Sequence, residues 1–69
     1  SPIVMDELFD RIIDVAKSGI SILMVEQNAR QALEIAHKGF VLVQGRNAFS
    51  GSGKDLLADK EVRKSFLGG

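Results

Sequence analysis

Residues 20–36 of this 69-residue chain, Ile-Ser-Ile-Leu-Met-Val-Glu-Gln-Asn-Ala-Arg-Gln-Ala-Leu-Glu-Ile-Ala, decide the fold class. The run from Ile22 to Val25 is apolar without a break, which is typical of a strand buried on both faces, and we predict a strand over 20–25. Small apolar residues then recur at helical spacing and predict a helix over 29–37. Asn28 stands where a side chain can cap the first turn of that helix. The stretch therefore predicts a strand followed directly by a helix.

Another helix is predicted before this stretch. Apolar pairs at helical spacing predict a helix over 3–17, with Ser1 as a possible N-cap and Pro2 at the first helical position. Gly19 is placed to end that helix. The face that we expect to be buried consists of Val4, Met5, Leu8, Phe9, Ile12, Ile13, Val15 and Ala16.

A hairpin and two short helices are predicted after the stretch. The segment Gln44-Gly45-Arg46 has the composition of a turn and separates two short strand-like runs, so we predict a hairpin over 40–50. Helices are predicted over 53–58 and 60–66. Asp59 is a plausible N-cap for the second of them.

The predicted order is α-β-α-β-β-α-α, which defines an α/β fold. The order strand, helix, strand makes residues 20–43 a βαβ unit, whose strands should be parallel with a right-handed crossover. A strand that is apolar on both faces needs neighbouring strands at both edges and helices on both faces. One βαβ unit and a short hairpin do not supply that cover, and the chain does not begin with Met. We therefore expect the C-terminal piece of a larger α/β domain, or an obligate oligomer that borrows the missing sheet.

The composition excludes several classes of function. Nine basic residues balance nine acidic ones. The chain therefore lacks the excess of positive charge that is typical of a nucleic-acid-binding protein. The absence of cysteine excludes disulfides, thiol catalysis and thiolate metal sites. No apolar run is long enough to span a membrane, and no secretion signal opens the chain.

The polar residues that follow the predicted strand are the candidate site. In open parallel sheets, ligands bind at the carboxyl ends of the strands. The junction from Val25 to Ala29 is the one such place in this sequence. One interpretation is a polar loop whose Asn28 caps a helix. The other is that Glu26 or Gln27 contacts a phosphate or the water that attacks it.

Three other patterns are weaker candidates. Residues 51–54, Gly-Ser-Gly-Lys, resemble the end of a phosphate loop, but the required Gly and the metal-binding Ser or Thr are replaced by Ala48 and Asp55. Asp6, Asp10 and Asp14 alternate with basic residues opposite the apolar face, so we expect a solvated surface and no metal site. His37 is expected only at a helix end.

The decisive stretch resembles a known family. Residues 22–30, Ile-Leu-Met-Val-Glu-Gln-Asn-Ala-Arg, and residues 32–36, Ala-Leu-Glu-Ile-Ala, resemble the switch-loop region of ABC-transporter ATPase subunits. More narrowly, they resemble the ATP-binding subunits of branched-chain amino-acid importers. Residues 39–46 resemble the hairpin that follows in that family, and residues 61–69 resemble its C-terminal tail. The resemblance implies the C-terminal part of a nucleotide-binding domain with a partial P-loop NTPase-like fold.

What the resemblance implies about activity concerns the larger parent. The parent would bind ATP and Mg²⁺, hydrolyse the ATP, and work with a second ATPase subunit and with permease subunits, peripheral to the cytoplasmic side of the inner membrane. Gln27 falls at the switch-loop position, where most members have a His that contacts the γ-phosphate and helps to orient the attacking water. Gln can donate and accept hydrogen bonds but cannot titrate near neutral pH, so a positioning role carries over and a proton-shuttle role does not.

The chain alone is expected to be inactive. The resemblance implies that the phosphate loop, signature motif, metal-binding Asp and catalytic Glu lie upstream of Ser1, and phosphoryl transfer needs a phosphate cradle and a metal. We expect the isolated chain to self-associate, with exchange of an element between copies as one route. The alternative hypothesis is a self-contained α/β interaction module that binds no nucleotide.

Overall fold

The computed structural model describes residues 2–69. Ser1, the predicted N-cap of the first helix, lies outside the described residues. The elements in chain order are α1 (Pro2–Lys17), α2 (Ala29–Ile35), β1 (Lys38–Val43), β2 (Arg46–Ser52), α3 (Gly53–Ala58) and α4 (Lys60–Phe66).

The two strands form an antiparallel hairpin joined by a two-residue turn. Val43 pairs with Arg46, so the turn consists of Gln44 and Gly45 alone. Both turn residues have positive φ, 51° at Gln44 and 77° at Gly45, which matches the twist of a tight hairpin. The register shifts between Val41 and Leu42, because β2 carries one extra residue there.

The core lies between the hairpin and the helices α2, α3 and α4. Its buried centre consists of Leu33, Leu56 and Val62. The rings of Phe49 and Phe66 meet edge to face with their centroids 6.1 Å apart. The partly buried residues packed on this centre are Val41, Phe49, Leu57 and Leu67. Each helix thus contributes little more than one buried side chain, as expected for a chain of this size.

Two side chains cap the short terminal helices. The hydroxyl of Ser52 accepts a hydrogen bond from the N–H of Asp55 at 2.9 Å, which begins α3. Asp59 caps α4 as predicted, because its carboxylate accepts from the N–H groups of Glu61 at 2.9 Å and Val62 at 3.0 Å. Both caps satisfy N–H groups that a short helix would otherwise leave without partners.

The strand predicted over 20–25 is absent from the structure. Residues 20–26 have no regular secondary structure, and Leu23 and Val25 are 94% and 99% exposed. A strand exists only when a neighbour pairs with its backbone, and within residues 2–69 the sheet contains β1 and β2 alone. The predicted βαβ unit is therefore also absent, and the observed order is α-α-β-β-α-α.

The apolar face of α1 is only partly covered, contrary to the prediction of a buried face. Only Phe9 is buried on this helix, at 3% exposure. The larger exposed apolar side chains of α1 are Ile3, Val4, Leu8 and Val15. The helix forms at its predicted place because its local sequence favours it, but the surface that would cover it is missing from the described residues.

The ends of α2 and of the hairpin differ by a few residues from the prediction. The helix predicted to reach His37 ends at Ile35, because Ala36 turns to an extended conformation with ψ 135°. The N–H of Gly53 donates to the carbonyl of His37 at 3.3 Å and closes the chain against that end. The hairpin predicted over 40–50 extends over 38–52, with Arg46 inside β2.

No helix within residues 2–69 is both long enough and apolar enough to cross a bilayer.

Candidate functional site: the Gln27 loop

The candidate site is the loop of residues 26–28, here called the Gln27 loop, which connects the irregular segment to α2. Gln27 lies at a bend, and all three residues of the loop are exposed. The position directly before α2 matches the prediction. The buried strand that was expected to carry the loop is not present, so the loop is held by hydrogen bonds instead.

A chain of hydrogen bonds runs from the Gln27 loop to α1. The N–H of Asn28 donates to the Glu26 carboxylate at 3.0 Å. The side-chain amide of Asn28 donates to Gln31 Oε1 at 3.0 Å. The side-chain amide of Gln31 donates in turn to Asp6 Oδ1 at 2.9 Å. The residues on both sides of Gln27 thus take part in hydrogen bonds, while Gln27 itself is exposed.

Asn28 occupies the N-cap position of α2 but does not cap it with its side chain. Its φ and ψ are −76° and 81°, and its side chain accepts no hydrogen bond from the first turn. The reason is that its amide group is directed towards Gln31. The capping-box-like spacing of Asn28 and Gln31 therefore produces a contact between two side chains, and the reciprocal contacts with the backbone do not form.

Another hydrogen bond joins the first turn of α2 to the end of the chain. The guanidinium of Arg30 donates to the carbonyl of Leu67 at 3.1 Å. After Leu67, the chain turns at Gly68, whose φ is 80°. The N–H of Gly69 then donates to the carbonyl of Arg63 at 2.8 Å. The start of α2 is thus linked both to α1 and to the C-terminal turn.

The hydrogen bonds from Gln31 to Asp6 and from Arg30 to Leu67 were not predicted from the sequence. Gln31 and Asp6 are 25 positions apart, and Arg30 and Leu67 are 37 positions apart. Local periodicity identifies neighbours on one helix, but it contains no signal for a polar pair formed between distant elements.

The Gly-Ser-Gly-Lys segment is placed as a strand end and a helix start, and its backbone is engaged. Gly53 is buried against the carbonyls of Leu33 and Ala36. Its N–H is bonded to His37, and the N–H of Asp55 is bonded to Ser52. A phosphate cradle needs several free N–H groups, and two of those at this segment are already bonded.

The carboxylates of α1 do not form a metal site with other side chains. Asp6 accepts a hydrogen bond from Gln31, and Asp10 and Asp14 lie on the exposed surface of α1. In the part of the chain that the structure describes, no three His, Asp or Glu side chains converge in a way that could hold a metal ion. His37 lies exposed between α2 and β1.

Two open depressions lie beside α2, and Gln27 lines neither. One, of about 540 Å³, is lined by Leu33, Glu34, Ala36, Lys54, Leu57 and Ala58. The other, of about 380 Å³, separates α1 from α2 and is lined by Asp6, Phe9, Asp10, Ile13, Gln31, Glu34 and Ile35. The second depression is the gap that the hydrogen bond between Gln31 and Asp6 spans.

Comparison with known proteins identifies the class of protein that the chain resembles. No family model matches the chain. Its curated relatives are ATP-binding proteins of transport systems, and the resemblance to ATP-binding subunits of ABC transporters is confirmed.

Within that class, two of the relatives are named as branched-chain amino acid transport proteins. The chain is 38% identical over 69 residues to the high-affinity branched-chain amino acid transport ATP-binding protein BraG of Pseudomonas aeruginosa. The matched region covers 100% of the chain and 30% of BraG. It is 39% identical over 69 residues to the probable branched-chain amino acid transport ATP-binding protein LivF of Archaeoglobus fulgidus, covering 99% of the chain and 29% of the relative. A lipopolysaccharide export system ATP-binding protein, LptB of Acidithiobacillus ferridurans, is 31% identical over 67 residues. The chain thus spans less than a third of the length of the relatives it matches.

Proposed function

We propose that the chain is the C-terminal part of the ATP-binding subunit of an ABC importer for branched-chain amino acids. The parent couples ATP hydrolysis, with Mg²⁺, to transport, together with a second ATPase subunit and permease subunits at the cytoplasmic side of the inner membrane. The observation that carries this proposal is the similarity to BraG and LivF over the whole chain.

The uncovered apolar surface supports the same proposal. Leu23 and Val25 are almost fully exposed in a segment whose composition is typical of a central strand. Ile3 and Val4 on α1 are also 70% and 60% exposed. A larger sheet that pairs with residues 20–25 and covers α1 explains both features.

In that parent, we propose that Gln27 positions the water that attacks the γ-phosphate. Its amide group can donate to a phosphate oxygen and accept from a water, but it carries no proton that leaves near neutral pH. Its exposure on a loop whose flanking residues are hydrogen-bonded suits a side chain that meets a ligand supplied by other parts of the protein.

The test of this role uses the longer gene product. We expect the reading frame upstream of Ser1 to encode a phosphate loop, and the purified product to hydrolyse ATP. Gln27→Ala should lower kcat by about 100-fold, within the range that one hydrogen-bonding group at the reacting centre contributes, with little change in KM for ATP. Gln44→Ala, at the hairpin tip, is the matched control and should leave kcat unchanged. An unchanged kcat in Gln27→Ala would exclude the proposed role.

For the 69-residue chain alone, we propose that it does not hydrolyse ATP. In the Gly-Ser-Gly-Lys segment and the residue after it, the N–H groups of Gly53 and Asp55 are already engaged, and the segment lacks the Gly and the Ser or Thr that a phosphate loop requires. A steady-state ATPase assay on the purified chain, with its Gln27→Ala variant as the blank, should give equal rates. Turnover above that blank would contradict the proposal.

We further propose that the isolated chain self-associates through its uncovered apolar surface, with exchange of α1 between copies as one possible form. The competing candidate is a self-contained interaction module, which is favoured by the closed core of Leu33, Leu56 and Val62. Size-exclusion chromatography with light scattering separates the two, because a stable monomer with two-state unfolding would support the module and contradict the fragment.

A further inference from the structure

The hydrogen-bond chain from Asp6 to the Gln27 loop has a fixed direction. A carboxylate only accepts, so the NH₂ group of Gln31 must face Asp6. The oxygen of Gln31 then faces the other way, where it accepts from the NH₂ group of Asn28. The charge on α1 therefore sets the orientation of two amide side chains in sequence, the second of which belongs to the Gln27 loop.

This orientation also explains why Asn28 does not cap α2. A capping Asn directs its oxygen to the N–H groups of the first turn. Here the NH₂ group of Asn28 is held by Gln31, and the backbone N–H of Asn28 is held by Glu26. The conformation of Asn28 is thus set by Gln31 in α2 and by Glu26, and the carboxylates of Glu26 and Asp6 are the two charged ends of this hydrogen-bond chain.

We propose that Asp6 is a positioning residue for Gln27, acting through Gln31 and Asn28. The inference rests on the function proposed above for Gln27, but the coupling it describes can be measured without that function. Asp6 touches neither nucleotide nor reacting atoms in this proposal. Its effect is to hold the Gln27 loop in one conformation across the gap between α1 and α2.

The first experiment uses the 69-residue chain and NMR. Asp6→Ala removes the acceptor, whereas Asp6→Asn removes the charge but keeps an oxygen acceptor. Asp14→Ala removes an equally exposed carboxylate from the same helix and is the matched control. We expect Asp6→Ala to raise the solvent-exchange rate of the Asn28 side-chain NH₂ by about threefold to fivefold, the factor expected when one exposed hydrogen bond is lost, and to shift the backbone amide of Gln27.

The other variants decide whether the hydrogen bond is the cause. Asp6→Asn should retain most of the slow exchange, and Asp14→Ala should not change it. Gln31→Ala breaks the same chain at its middle and should reproduce the effect of Asp6→Ala, which keeps the test valid if one variant folds poorly. Unchanged Asn28 exchange in both Asp6→Ala and Gln31→Ala would overturn the proposal, as would an equal effect of Asp14→Ala.

The second experiment uses the longer ATPase. Asp6→Ala should lower kcat by about threefold to fivefold with an unchanged KM for ATP, and Asp6→Asn should restore it. If Gln27→Ala lowers kcat as expected but Asp6→Ala does not affect it, the positioning role is wrong while the proposed function stands. If no ATPase activity exists but the NMR coupling is observed, the proposed function is wrong and the structural coupling stands.

Discussion

Gly53 lies where the end of α2 meets the start of α3. It is buried, and a Cβ atom at this position would overlap the carbonyl oxygens of Leu33 and Ala36. Those oxygens belong to the backbone and cannot move without shifting the end of α2. Gly39 is also close to its neighbours, but a Cβ there would meet the side-chain tips of Leu33 and Leu56, both at 2.8 Å.

These surroundings predict different costs for two identical substitutions. Gly53→Ala should lower the free energy of unfolding by about 3 kcal/mol, because backbone must move to make room. Gly39→Ala should lower it by about 1 kcal/mol, because leucine side chains can change rotamer. Urea denaturation of both variants measures the difference, with Lys54→Ala on the exposed side of α3 as the control. Equal losses for the two glycines would contradict this account.

At the candidate site, the sequence identified the loop but not what holds it. Gln27 could be singled out because its neighbours match a family pattern, and its place directly before α2 follows from the helical spacing of the residues after it. The capping role predicted for Asn28 is wrong, because its side-chain amide contacts Gln31 and accepts no hydrogen bond from the first turn of α2. Asp6 appeared in the sequence only as part of a solvated row, since nothing local indicates that α1 would lie against α2.

At the scale of elements, short-range signals proved sufficient for the hairpin and the terminal helices. The turn at Gln44 and Gly45 and the caps at Ser52 and Asp59 act within a few residues of themselves. The segment 20–25 is the opposite case. Its composition favours a central strand, but a strand needs partners, and the described residues contain no further strand to pair with it. What could not be predicted is therefore what depends on neighbours that are distant in sequence or outside the chain.

The weak attachment of α1 leads to a prediction about its dynamics. Phe9 is its one fully buried side chain, and Gln31 supplies the hydrogen bond that joins it to α2. Native-state hydrogen exchange should therefore show α1 amides opening at a free energy about 1 kcal/mol or more below that of the β1 and β2 amides. The β2 amides opposite Val41, in the hairpin that packs on the core, are the internal reference. Protection of α1 equal to that of the hairpin would show that the helix is an integral part of the core.

At the scale of the whole molecule, the exposed segment 20–25 decides how copies behave. The double variant Leu23→Ser with Val25→Ser removes two side chains that contact little in the monomer. We expect the unfolding free energy of the monomer to change by less than about 0.5 kcal/mol, while self-association decreases.

Light scattering at several concentrations measures that effect. The paired control, Lys60→Ser with Lys64→Ser, changes two exposed side chains that are not apolar and should leave the apparent mass unchanged. If the Leu23 and Val25 variant associates as strongly as the natural chain, this segment is not the contact surface. An increase in its monomer fraction without loss of stability would support the proposal.

The two-residue turn has a consequence for how the chain acquires its structure. Because Gln44 and Gly45 alone connect the two strands, Val43 and Arg46 can meet with almost no chain to close between them. The hairpin can therefore form before distant helices have found their places, and on a ribosome it could be complete once β2 has emerged. Residues 20–26 have no comparable local partner among residues 2–69, so their backbone can pair only with a strand supplied from elsewhere.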